Sequence, residues 1–380
     1  MPNRRDFLLA AGTAALSGAL SPRKQAEAAS EHWPPYRDTL SIDGESGVRV
    51  LEEEGLDPAA AAKELAAVRA SGLGATLLQV ASSGAGGLTE AGFEDTKKRI
   101  AFCKKMVAAH EDVFLLVGEK ADLARAQREH RLGVIMRFQD ASPIGIDVDR
   151  IALYRELGIR VIQLTHNNRN LVGDGLMEPG NAGLSNFGHA VVEQLNAQKI
   201  VVDLAHGSQR TMKEGIEASK APVLISHAGC RALADLPRNV GDDELRAMAE
   251  RGGAIGIIFW PYLRTDRQPT AIDLIAHIEH AIKVCGEDHV GLGTDGYLAP
   301  IERTPEFEKE NRATIADTVA GGFFGRGRSA EGLYMFITDL NVADRFDRLA
   351  AMLSARGHSD ARIAKILGGN FARVMGDVWG

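Results

Sequence analysis

Three histidines and an aspartate each close an apolar run in this chain. VIQLTH ends in His166, IVVDLAH in His206, PVLISH in His227 and VGLGTD in Asp295, and a fifth run, VIMRFQ, ends in Gln139. Neutral imidazole and carboxylate are the usual ligands of catalytic zinc, which keeps one position open for water. The same groups without a metal would suit acid–base chemistry. A lone histidine after a strand is ordinarily a hydrogen-bonded loop residue. Three in successive runs, followed by an aspartate in the same place, read instead as one functional cluster. The remaining histidines, such as His110, His277 and His280, fall in helices, loops or strand starts and are read as structural. Arg238 and Asn239 lie in a loop before a helix. A guanidinium there can grip a carboxylate through two parallel hydrogen bonds, or close a salt bridge. Spacing alone leaves both open.

Such convergence needs a scaffold that brings many strand ends to one face. Apolar runs of strand length occur at residues 39–43, 75–80, 134–139, 160–166, 200–206, 223–227, 254–259 and 290–295, with DVFLLVG at 112–118 as an accessory strand. Between them, apolar residues recur at helical spacing over 58–70, 96–110, 188–197, 242–251 and 272–284. Asp242 and Asp243 are placed to cap the fourth of these helices and Gly252-Gly253 to end it. Eight strand–helix units predict a closed parallel (β/α)8 barrel of the TIM type, with its site at the C-terminal ends of the strands. Residues 299–332, which contain GGFFGRGRSA, read as a lid or insertion.

The chain has 380 residues, is 45% hydrophobic and carries a formal charge of −7, which argues against a nucleic-acid partner. Its start reads as a twin-arginine export signal. Arg4-Arg5 precedes an apolar stretch at 7–20, and Ala26-Glu27-Ala28 forms a small-residue cleavage site. This predicts cleavage of residues 1–28, a single barrel domain over 29–380, the translocase as a transient partner, and a periplasmic or secreted protein. Cys103, Cys230 and Cys285 show no metal-motif spacing and are read as buried free thiols.

The stretches LTHNNRN, GLSNFGHAVVEQLN, VDLAHGS, APVLISHAGCRAL, PRNVGDDELRAMAERGGAIGI, HVGLGTD and ILGGNFARVMGDVW run through most of residues 41–379. In them the chain resembles the renal (membrane) dipeptidase family of zinc metallopeptidases, within the amidohydrolase superfamily. The resemblance implies hydrolysis of a dipeptide, a homodimer, and a site with two zinc ions. It implies that His206 and His227 bind one ion, and that Asp295 binds the other and handles the proton of the attacking water. It further implies that His166 steadies the carbonyl oxygen and that Arg238 grips the substrate carboxylate, with Asn239 beside it. Where the family has Asp-Gly-His-Asn-Asp, this chain reads Asp43-Gly44-Glu45-Ser46-Gly47, and Gln139 stands in place of a bridging glutamate. Glu45 replaces a ligand histidine, Gly47 offers no donor, and an amide cannot balance two cations. The expected outcome is a site with one zinc ion on His206, His227 and Asp295, with Glu45 and Gln139 as weak additional ligands. The same substitutions also suit a metal-free relative. It would be a periplasmic binding or maturation factor for a small carboxylate ligand, an acid–base enzyme using Glu45, His166 and Asp295, or a structural partner with a vestigial pocket.

Overall fold

The computed structural model describes residues 31–81, 86–325 and 327–380; the expected export signal lies outside them. Eight parallel strands form the barrel. They are β1 (Ile42–Asp43), β2 (Ala75–Gln79), β3 (Leu132–Phe138), β4 (Val161–Gln163), β5 (Val201–Asp203), β6 (Leu224–Ala228), β7 (Ala254–Ile258) and β8 (Val290–Gly293). Each pairs with the next, β8 returns to β1 through Asp43 and Leu292, and β2 pairs with β3 from Ala75/Gly133 to Gln79/Arg137. The ring is therefore closed. Phe114–Leu116 pairs with the start of β3 outside this ring, as expected of an accessory strand.

The helices form where the apolar spacing placed them: Pro58–Ser71, Glu90–Ala109, Asn186–Ala197, Asp242–Glu250 and Ala271–Cys285. Asp57 caps the first by accepting from Ala59 and Ala60, and Ser185 caps the third by accepting from Gly188. Asp242 and Asp243 differ from expectation: they are the first residues of their helix, and Gly241 holds the cap position. Their charge still lies at the positive end of the helix dipole. The segment at 299–332 contains the helix Pro305–Ala320. It packs over the loop after β7: Phe324 meets Tyr262 with ring centroids 4.9 Å apart, and Arg328 donates to the carbonyls of Pro261 and Arg267.

The barrel is closed at one end. Its N-terminal mouth is closed by the helix Asn370–Trp379, whose Phe371, Val374, Met375 and Val378 pack against Ile42, Ala75, Val161, Val201, Leu224 and Ala254. The fit is tight. A Cβ on Gly256 would lie 2.0 Å from the Ser226 carbonyl oxygen and 3.0 Å from the Phe371 ring, so only glycine allows β6 and β7 to approach there. The C-terminal ends are left for chemistry. The three cysteines are buried and unpaired.

Candidate active site

At the open end of the barrel three side chains meet. His206 follows β5, His227 lies within β6, and Asp295 follows β8; one ligand atom from each lies within 4.8 Å of the others. Among the described residues five non-glycine residues have positive φ, and His206 at 62° and Asp295 at 54° are two of them. A side chain in the left-handed region carries strain that surrounding contacts must hold. Here the Asp295 N–H donates to the Glu45 carbonyl at 2.8 Å, and the Trp260 indole donates to the Asp295 carbonyl at 2.6 Å. The His206 carbonyl accepts from the Leu176 N–H at 2.8 Å.

The far nitrogen of each imidazole is committed to a partner. His206 Nδ1 lies 2.8 Å from Asn167 Oδ1, an acceptor, so it carries the proton. The Ser226 hydroxyl donates to Asp203 at 2.5 Å and leaves a lone pair facing His227 Nδ1 at 2.8 Å, so this nitrogen also donates. Both Nε2 atoms therefore present lone pairs to one another, 3.1 Å apart. Burial holds both imidazoles well below their ordinary pKa, with the Arg238 cation adding to it, so protonation does not relieve the opposition. A cation between them would. Two zinc–nitrogen bonds of about 2.05 Å at a tetrahedral angle place the nitrogens about 3.3 Å apart. Asp295 Oδ2, 3.9 Å from His227 Nε2, supplies a third donor. The donor set fits one zinc-sized ion.

The rim is cationic and aromatic. His166 stacks on His206 with ring centroids 4.3 Å apart, and burial lowers its pKa to about 4, so it is a neutral donor at physiological pH. Arg238 is buried, its guanidinium lies 5.9 Å from the Tyr262 ring centre, and its Nε and Nη2 have no hydrogen-bond partner. Donors of a buried charge left free in this way are set for an anion from outside. Burial raises the Asp295 pKa, opposed by Arg238 and Arg137, which leaves its carboxylate more basic than an exposed one.

Three expected participants sit differently. Glu45, expected as an extra ligand or acid–base group, is buried and ion-paired to Arg137, outside the three-residue cluster. Gln139 reaches the cluster through its amide nitrogen, 3.4 Å from His227 Nε2 and 3.5 Å from Asp295 Oδ1, so it faces the site as a donor. Asn239 is fully buried, and its Nδ2 donates to the Ala234 and Tyr262 carbonyls at 2.8 Å each, which braces the loop carrying Arg238. Gly47, where the resemblance led a second metal-binding side chain to be expected, is crowded by side chains: a Cβ there would lie 2.7 Å from the Tyr297 ring and 2.9 Å from Glu52 Oε2. The contributions of Asn167, Ser226, Asp203 and Arg137 were not anticipated. A signal for one was present, since an arginine inside the apolar run of β3 demands buried acids.

A family model described as membrane dipeptidase, peptidase family M19, matches residues 38–309. Over 228 residues the chain is 32% identical to the dipeptidase verJ of Clonostachys rogersoniana, covering 60% of this chain and 50% of that protein. Over 291 residues it is 28% identical to the dipeptidase aclJ of Aspergillus oryzae, covering 75% and 61%. The chain thus spans about half to three-fifths of the length of these curated relatives. Among solved structures, an amidohydrolase from Pseudomonas aeruginosa superposes with a TM-score of 0.74 at 27% identity, covering 95% of this chain and all of that one. A metallo peptidase from Rhodobacter sphaeroides, liganded with a phosphinate mimic of the dipeptide L-Ala-D-Ala, shares the fold with a TM-score of 0.71 at 18% identity, covering 90% of this chain.

Proposed function

The chain belongs to the membrane dipeptidase family, peptidase family M19, and from that premise we propose that it hydrolyses a dipeptide, or a similarly small amide with a free carboxylate, using one zinc ion held by His206, His227 and Asp295. The observation that carries this reading is the pairing of two opposed imidazole lone pairs with a buried, unpartnered guanidinium on one barrel face. A bound zinc would supply Lewis acidity, acidifying water and polarising the scissile carbonyl. Arg238 would seat the substrate carboxylate through Nε and Nη2, which fixes the distance from that carboxylate to the reacting amide. Asp295, its carboxylate made more basic by burial, would accept the proton of the attacking water. His166, neutral and stacked on His206, would donate a hydrogen bond to the carbonyl oxygen as negative charge develops there. Relatives named dipeptidases, and a fold neighbour liganded with a dipeptide mimic, support the substrate class.

The test is zinc content together with release of free amino acids from a dipeptide panel. We expect one zinc per chain, turnover of at least one dipeptide, and loss of both in His206→Ala. A protein without zinc and without turnover would instead favour a binding or maturation factor for a small carboxylate ligand. We also propose export through the twin-arginine route. Replacing Arg4-Arg5 with lysines should retain the uncleaved precursor in the cytoplasm, and unchanged export would refute that proposal.

A further inference from the structure

Arg137 takes none of the roles above, yet it is the largest fully buried side chain among the described residues. It lies in β3, two residues before Gln139, so both side chains leave the strand on the interior side of the barrel. Its Nη1 is ion-paired to Glu45 and donates to Gly44 O and Ser226 Oγ at 3.2 Å each. Its Nη2 donates to Asp203 Oδ2 at 2.9 Å and Gln163 Oε1 at 2.8 Å. One guanidinium thus faces two buried carboxylates, from near the ends of β1 and β5, inside the barrel.

Two buried acids without a cation would be costly, and a buried cation without them equally so. The arrangement has two consequences for the neighbouring cluster. Glu45 is kept away from it. The Glu45 carbonyl already accepts from the Asp295 N–H, so its carboxylate starts close to the cluster, yet it turns to Arg137. Ser226 is also fixed: held between Asp203 and Arg137, its hydroxyl must offer a lone pair to His227 Nδ1, which directs the Nε2 lone pair into the site.

We propose that Arg137 is a built-in cation of the active site, a positioning residue that sequesters Glu45, orients Ser226 and His227, and thereby limits the His206/His227/Asp295 centre to a single metal ion. This rests on the metal reading given above, and the measurement that tests it is zinc stoichiometry, which needs no substrate. The purified full chain is titrated with zinc, and bound metal is counted after gel filtration. The wild type should saturate at one equivalent. Arg137→Gln removes the charge and leaves Glu45 and Asp203 in need of a cation, so a second equivalent should bind; Arg137→Gln/Glu45→Gln should return to one. Two equivalents in the wild type, or one in Arg137→Gln, would overturn the proposal. If Arg137→Gln does not fold, Glu45→Gln alone decides, because it keeps the Arg137–Asp203 pair. Zinc affinity within threefold of wild type is expected, whereas a tenfold loss would make Glu45 a ligand and overturn the inference. A wild type that binds no zinc sinks the metal reading itself. In that case Arg137→Gln that acquires zinc still supports the built-in cation, and one that stays empty refutes it.

Discussion

Arg238 has been taken out of water without a carboxylate to meet it, and that should be measurable in the free protein. An unpartnered buried charge costs stability, so Arg238→Met should raise the thermal midpoint by a few degrees. The same change should raise KM about 30-fold or more for a free-carboxylate substrate, the lower end of what truncating a buried charge pair costs, and remove any preference for the free acid over the C-terminal amide. A lowered midpoint would mean that Arg238 is structural. His166 makes a different prediction. A donor that strengthens as charge develops acts on the chemical step, so His166→Ala should lower kcat about a hundredfold with little change in KM. Because its pKa is about 4, protonation of this ring should not shape the activity profile above pH 5.

At the scale of strands and loops, the two close-packed glycines are not equivalent. Gly256 meets a backbone oxygen and a buried ring in the middle of the barrel wall, so Gly256→Ala should cost about 3 kcal/mol or more. Because the obstructing carbonyl belongs to Ser226, zinc affinity should fall with it. Gly47 meets the ends of side chains, and Tyr297 is 45% exposed and free to swing, so Gly47→Ala should cost about 1 kcal/mol or less. Chemical denaturation of both variants checks the contrast. The eight barrel strands and the accessory strand were legible because buried parallel strands read as unbroken apolar runs. Their ends were less so. The ladder stops at Asp203 and Gly293, before His206 and Asp295, whose left-handed backbone is not that of a strand. The cluster itself was visible, since its members sit at one end of successive runs. The fates of Glu45 and Asn239 were not. Their partners are far away in sequence or are main-chain carbonyls, and no local pattern encodes an ion pair between β3 and residues near the ends of β1 and β5.

For the whole molecule, buried histidines contribute to the response to acid. His277, on the helix Ala271–Cys285, accepts from the Cys230 N–H at 2.9 Å and donates to the Leu263 carbonyl at 3.0 Å, tying the loops after β6 and β7 together. Burial lowers its pKa to about 4 from 6.5. The unfolded chain therefore takes up this proton first. The stabilisation is complete above pH 6.5 and is lost as pH falls through 4, by roughly 3 kcal/mol in all. Urea unfolding at pH 7 and pH 4.5 should show a smaller loss for His277→Gln than for the wild type; equal losses would contradict the buried neutral state.

The floor formed by Phe371 and its helix also has a bearing on time. That helix follows every barrel strand in the sequence, while the surfaces it covers include the first residues of β1 and β2. During synthesis those surfaces emerge long before the piece that shields them. A nascent chain halted after β8 should present an open, apolar mouth and be cut readily by protease. Extending the same chain through Trp379 should confer resistance in one step.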